Sequence, residues 1–479
     1  MYECGNLTPR DCADSRSESA TFLPPFVKIN LKKEGQVQYR RTTAPRVSEC
    51  YKILLLLLLA SQTTRADIAE VAYSFSRDGG GGVVVVQLDT TTGEIADQRI
   101  VAESPKCTNP EKVRRAGRNQ LILTNETSDP AGPHLFLIEE ADVPQVRSLV
   151  LPATPDEVRA NGGFAVSTCD EDWVARVEFN SAKVVGKWNA KDFMNPPGNG
   201  PQDVFFLSDG QHVVLSFQKD SKKGKNKGSR IGVFRLPNLN LVADARLPRT
   251  KPELNVKGNK KESGPGPEVI HVSKQNNTIV VTLDLYGAVA IANWDHLLAG
   301  KADWLYLSTA MDGSWGNAFP DRMSVFEVSD REVALVANAG TGGGMALLDI
   351  KAREFIWQRN SPPGLEAPVY VPQVRKAYSV CSGKTKWRGE KEVEKDYHPQ
   401  KGIYVCDFSS RQAVRDQQIE QIPTELLMYR ITDVGEDEPW LLLAGGKDSP
   451  DTIMVLDART GEFVDKQPAI GALIRFEGR

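Results

Sequence analysis

Two stretches near opposite ends of the chain are close copies: "VVVVQLDTTTGEIAD" (83–97) and "TIMVLDARTGEFVD" (452–465). Each has a β-prone run, an Asp, two residues, Thr-Gly-Glu, an apolar residue and a final Asp. Asp89 matches Asp457, and Gly93 matches Gly461. Glycine takes the positive-φ position of a short turn without steric cost, so each copy predicts a hairpin. "LLDIKAREFIW" (347–357) is a third, degenerate copy without the glycine. Self-similarity spread along a chain of 479 residues constrains it to a repeat architecture.

The repeating unit is four short β runs. "DVFFLSDGQHVVLSF" (203–217) joins two runs through Asp209-Gly210, a tight-hairpin signal, and "SRIGVFRL" (229–236) and "LVADARL" (241–247) complete the set. Further groups fall near 112–150, 157–188, 268–308, 322–358, 367–419 and 426–467. The opening segment 69–101 holds three strands, and "GALIRFE" (471–477) can supply its missing innermost one. Pairing the two chain ends would close the ring and remove exposed sheet edges. The expected fold is therefore all-β: a single β-propeller of four-stranded antiparallel blades, eight by repeat count, with seven as the alternative.

The "D-x-x-T-G-E" hairpins are similar to those of the YVTN-type and quinoprotein-dehydrogenase-like β-propellers, over roughly residues 67–477. The resemblance implies an architecture, not an activity. It suggests a redox cofactor, but the adjacent-cysteine pair of many pyrroloquinoline-quinone enzymes is missing, as is any dense Trp-docking repeat. No cofactor is expected on this reading.

Residues 53–60, "ILLLLLLA", raise the question of address. A membrane-spanning helix needs about 20 apolar residues, whereas a short run behind positive charges suits a secretory signal. Arg46 and Lys52 supply the charge, and cleavage is expected after Ala66. The expected organisation is a disordered or untranslated extension (1–46), a signal peptide (47–66) and the propeller (67–479). The expected location is secreted or periplasmic, in the cell envelope. Cys4, Cys12 and Cys50 precede the cut, leaving Cys107, Cys169, Cys381 and Cys406 as candidates for two disulfides in an oxidising compartment. Cys381 and Cys406 fall in strands B and C of one blade, where a cross-strand bridge is feasible. No CxxC occurs and the five histidines are scattered, so no metal site is expected.

Blade topology sorts the loops. The B–C hairpins and D–A crossovers open on one face, where long segments gather: 125–133, 189–201, 219–229, 249–267, 309–321 and 382–400. Loops on a rigid scaffold are where binding residues concentrate. Two of these insertions are basic. Residues 219–230 carry Lys219, Lys222, Lys223, Lys225, Lys227 and Arg230 against Asp220. Residues 249–262 carry Arg249, Lys251, Lys257, Lys260 and Lys261 against Glu253 and Glu262. Such a patch would attract a polyanion, an acidic polysaccharide or an envelope protein, or else is a pair of solvated loops. The net charge of −3 and pI near 6.1 argue against nucleic acid as partner. In "STAMDGSWGNAF" (308–319), Asp312 and Trp315 form an aromatic–carboxylate pair suited to stacking on a sugar ring, or to packing on the next blade.

Signs of catalysis are sparse. "AGTGGGM" (339–345) lacks the Gly-Lys-Ser/Thr ending of a phosphate loop and reads as a B–C hairpin. No GxSxG elbow occurs. The leading expectation is an exported propeller that binds a ligand or partner on its long-insertion face. The alternatives are a lactonase- or hydrolase-type enzyme at the channel mouth, using Asp203, His271 and Asp321, and a structural envelope scaffold.

Overall fold

The computed structural model describes residues 67–476, except 128, 191–198, 220–228, 249–264, 312–317, 321, 341–342, 382–401, 416–417, 425–427, 436–437 and 446–450. These residues form eight four-stranded antiparallel sheets, with only two short α-helices, Trp294–Leu298 and Arg411–Arg415, and one 3-10 turn. Seven sheets use consecutive strands. Blade II spans residues 110–149, blade III 155–189, blade IV 199–246, blade V 267–308, blade VI 322–359, blade VII 369–423 and blade VIII 428–468. In blade I, the three strands Ile68–Arg77, Gly80–Asp89 and Ile95–Ser104 receive Ala472–Phe476 as the innermost strand. The eight-bladed count and the closure by the chain ends are both as the repeat predicts.

The core is a ring of eight apolar clusters, one in each gap between neighbouring blades. Successive side chains of a strand point to opposite faces, so a strand between two blades must be apolar on both. "VVVV" (83–86) shows the rule: Val83 and Val85 pack toward blade II, while Val84 and Val86 pack toward blade VIII. That is why these strands read as unbroken apolar runs and not as an alternating pattern.

The repeated motif is a C–D turn. Asp89 accepts from the Thr91 and Thr92 amides at 2.8 and 3.2 Å, and Gly93, at φ 77°, donates back to the Asp89 carbonyl at 2.7 Å. Asp457 and Gly461 repeat this, with a 2.7 Å backbone bond and φ 75°. In the degenerate copy Arg353 takes the left-handed position itself, at φ 57°, and donates to the Asp349 carbonyl at 2.8 Å. The two best copies are neighbours across the closure, where the Trp440 indole donates to the Thr90 carbonyl at 2.8 Å. A Cβ on Gly93 would lie 2.5 Å from the Trp440 ring, whereas one on Gly461 would meet Ile422 at 3.1 Å. We expect Gly93→Ala to cost about 2–4 kcal/mol and Gly461→Ala about 1–2 kcal/mol, through lost positive-φ freedom and, at Gly93, collision. Denaturant unfolding of both variants checks this, and equal losses would contradict it.

"AGTGGGM", whose residues 341–342 lie outside the described residues, falls between the paired strands B and C of blade VI, Arg331–Ala337 and Met345–Asp349, as its sequence context predicts.

The disulfide expectation is corrected. All four described cysteines are buried free thiols. In blade VII Cys406 stands opposite Ala377, four residues along the strand from Cys381. At about 3.3 Å per residue that offset is roughly 13 Å, beyond the 7 Å a bridge tolerates. Cys107 and Cys169 belong to different inter-blade clusters, between blades I and II and between blades II and III. Burial pushes the thiols of Cys107, Cys169 and Cys406 up to about 12, which leaves them inert.

Candidate functional site

The eight innermost strands enclose a central channel with a cavity of about 1230 Å³. Its wall is set by a second repeat. Near its start strand A carries Pro110-Glu-Lys-Val113 in blade II, Pro155-Asp-Glu-Val158 in blade III, Pro201-Gln-Asp-Val204 in blade IV and Pro267-Glu-Val-Ile270 in blade V. In each blade the register slips just after the proline, a β-bulge. A bulge strands a backbone N–H and re-aims a side chain. Here a buried strand-B hydroxyl takes the stranded amide: Thr124 from Lys112 at 2.8 Å, Thr168 from Glu157 at 3.1 Å, Ser216 from Asp203 at 3.0 Å and Thr282 from Val269 at 3.0 Å.

The bulges bring charge together. Glu157 accepts from the Arg114 guanidinium at 2.8 Å, and the Lys112 ammonium lies 3.1 Å from its other oxygen. Arg159 lies 3.8 Å from Glu157 and 3.7 Å from Asp203, whose carboxylate also accepts the Ile270 amide at 3.0 Å. Burial alone would raise Glu157, but Arg114, Lys112, Arg159 and, from blade VI, Arg322 outweigh it and hold its carboxyl well below the usual range. Burial raises Asp203, with Arg159 opposing. Four cations thus surround two carboxylates. On other arcs Arg430 meets Glu366 at 2.8 Å, and Arg475 meets Glu111 at 3.5 Å. Toward the rim, burial and then Glu111 push Glu126 up to about 7, helped by Asp156 and Asp170 and opposed by Lys112.

The channel is graded along its axis. Lys112, Glu366 and Arg322 of the wall, and Glu157, come early in or just before strand A, near the D–A crossovers, so the cluster around Glu157 lies toward the long-insertion face, while Glu327, Asp433 and Arg475 come late. Phe205, His271, Phe326 and Tyr370 come late, near the A–B turns. Phe326 and Tyr370 stack at 4.0 Å and 5°, and Phe205 meets the His271 ring edge-on at 5.5 Å.

The sequence finds no partner for His271, yet it has one. Its Nε2 lies 2.9 Å from Glu332, 61 residues away on the neighbouring blade. Glu332 also accepts from Asn276 at 2.7 Å and from the Ser273 hydroxyl. Burial would raise Glu332, but these bonds, led by His271, bring it down to about 2. A depressed carboxyl adds stability that is present above its ordinary value of 4.5 and is lost as pH falls toward about 2. We expect Glu332→Gln to lose about 1–2 kcal/mol at pH 7 and the gap from the parent to narrow steadily below pH 4.5. Unfolding curves at several pH values test this, and a gap that widens in acid would refute it.

Of the sequence-predicted site residues, Lys222, Lys223, Lys225, Lys227, Lys260, Lys261, Asp312, Trp315 and Asp321 lie outside the described residues. Arg230, counted with the basic insertion, is buried and donates from Nε to Asp244 at 2.8 Å. Asp203 and His271 do line one channel, on adjacent blades, but each is engaged by its own partners. Among the described residues no group of three or more His, Cys, Asp or Glu side chains is arranged to hold a metal, and no helix is long and apolar enough to cross a membrane. The cation cluster was missed by sequence reading. Its signal was the four-fold Pro-x-x-(Val/Ile) start of strand A.

No protein-family model matches the chain, and no curated protein matches it. Among solved structures it is similar to the dihydro-heme d1 dehydrogenase NirN in complex with DHE, with TM-score 0.57, 11% identity, and 87% of this chain and 77% of that chain covered. It is also similar to apo AztD from Citrobacter koseri, with TM-score 0.52, 13% identity, and 86% and 97% covered. The shared fold is the β-propeller, here with eight four-stranded blades. At these identities the likeness concerns fold, and propellers host many activities.

Proposed function

We propose that this chain is an exported propeller that binds an anionic ligand on its long-insertion face. The observation that supports it is the excess of cations over carboxylates around Glu157 and Asp203, in the half of the channel nearest that face. Buried, preformed cations in a concave site suit a carboxylate or phosphate, since the desolvation is already met by the fold. The lysine-rich insertions between strands B and C of blade IV and between blades IV and V add positive charge to the sequence and would favour a polyanion.

Heparin-column retention of the mature protein, lost when Lys222, Lys223, Lys225 and Lys227 are replaced by Gln, is the expected result. Unretained parent protein would sink the reading. Retention should also weaken as pH rises through about 7, because Glu126 gains charge beside Glu111, Asp156 and Asp170. Export is tested separately, by N-terminal sequencing of the protein from its own cells. A start at Asp67 supports the signal peptide, and a retained run at 53–60 removes it.

A further inference from the structure

We infer that two copies of this chain pair through the outer edge of blade II, strand D against strand D, in a two-fold arrangement centred on Ser148. Two observations carry the inference. This edge is left open where its counterparts are blunted, and its sequence is complementary to itself.

The outermost strand of a blade has one side without a sheet neighbour. Such an edge is a template for another chain unless it is short, bulged, charged or ended by proline. Among the described residues, strand D is bulged in five blades. The extra residues are Ala96 and Val101 in blade I, Val185 in blade III, Val242 in blade IV, Ile356 in blade VI and Val464 in blade VIII. A bulge leaves a residue unpaired and twists the edge away from a partner. In blade V strand D has only four residues, and in blade VII it carries an exposed Glu420 and ends on Pro423. Blade II differs. Its strand D, Gln145–Leu149, pairs with Leu135–Glu139 without any register shift. Its one charged side chain is engaged in blade III, where Arg147 donates to the Asn180 and Phe179 carbonyls at 3.0 and 2.8 Å. Val146 and Val150 stand 42% and 51% exposed.

The edge reads Pro144-Gln-Val146-Arg-Ser148-Leu-Val150-Leu-Pro152, and its even positions are the same in either direction. They are also the positions able to bond outward. Leu149 turns its carbonyl and Leu151 its N–H inward to His134, at 2.8 and 3.1 Å. Backbone groups of successive strand residues alternate in direction, so those of Val146, Ser148 and Val150 face away from the blade. Antiparallel pairing with a second copy sets Val146 against Val150 of the partner subunit, twice by symmetry, and Ser148 against the partner's Ser148 on the axis. No like charges meet, and valine pairs and serine pairs are favourable across strands. Pro144 and Pro152 fall opposite each other at both ends of the ladder, where their missing N–H groups stop it and pin the register. A peptide from another protein needs only one reading direction. A pattern that reads alike in both is what a two-fold contact requires, and such a contact closes at two copies.

Sedimentation velocity on the protein purified from its own cells should show a reversible dimer, half dissociated at about 1–100 μM, as suits a contact at the small end of interface sizes. Val146→Lys and Val150→Glu should each weaken the dimer by about tenfold or more, because a charge on an edge opposes pairing. An equal mixture of these two variants should associate within about threefold of the parent, since Lys–Glu replaces one cross-strand pair and Val–Val keeps the other. Val185→Lys, on the bulged edge of blade III, should leave the dimer unchanged. All of these side chains are exposed, and melting temperatures establish that each variant is folded. A parent that stays monomeric up to about 100 μM would overturn the inference, the affinity then lying beyond even small specific interfaces. A dimer indifferent to Val146→Lys would overturn it too, by placing the contact elsewhere. A mixture no tighter than its components would overturn the register centred on Ser148. A monomer that co-purifies with a different protein, released by Val146→Lys, would give the edge to that protein and overturn the second copy.

Discussion

Removing residues 472–479 is expected to drive the protein into aggregates. These residues include the innermost strand of blade I, Ala472–Phe476, which pairs with Ile68–Arg77 through Ser76↔Ala472, Ser74↔Arg475 and Tyr73↔Phe476. Without it, the strand Ile68–Arg77 becomes an open edge beside the channel, a template for pairing with another chain. Ile474 and Phe476 also leave the cluster between blades VIII and I, and each buried apolar side chain contributes about 1.5–3 kcal/mol. With the lost ladder the deficit exceeds about 5 kcal/mol, comparable to the whole stability of many domains. Size-exclusion chromatography of the truncated protein should show aggregate in place of the parent's peak. A soluble protein melting within a few degrees of the parent would mean that the closure is dispensable.

Glu157→Ala should be the most damaging single substitution in the channel, at about 3–5 kcal/mol. The residue is 5% exposed and holds Arg114, Lys112 and Arg159 around one carboxylate. Removing it leaves cations facing one another with their desolvation uncompensated, which costs more than the intact pair contributes. The argument makes a second, sharper claim. Changing Glu157 and Arg114 together to Leu should recover part of the loss, because the buried pair is exchanged for apolar residues while Lys112 and Arg159 still lose the carboxylate. A double-mutant cycle by chemical denaturation measures this, and strict additivity of the two losses would refute it. Acid provides an independent check. Because the Glu157 carboxyl is held below its ordinary value of 4.5, its contribution is present above that value and falls away as pH drops below it.

Much of the propeller was legible because its physics is local. A hairpin needs a positive-φ residue at a fixed offset, so Gly93 and Gly461 announce their turns in the sequence. A strand sandwiched between two blades must be apolar on both faces, so runs such as "VVVV" (83–86) announce burial. The disulfide expectation failed for a reason of the opposite kind. Strand membership of Cys381 and Cys406 was readable, but their register was not, and four residues of offset decide whether two thiols meet.

The candidate site was the least legible part. Its charges come one or two per blade, from Lys112, Arg114, Glu157, Arg159, Asp203 and Arg322, spread over more than 200 positions of sequence. Nothing in the spacing of Glu332 and His271 marks them as partners, because only the packing of one blade on the next brings them to 2.9 Å.

The sequence by itself determined the repeat and the strand that closes the ring, and favoured eight blades over seven, since turn chemistry and strand burial are written within a few residues. The tertiary structure alone decided which charges meet in the channel and which cysteines stay apart. Those outcomes depend on bulges and on the rotation between blades, which set distances across a ring that no local pattern encodes.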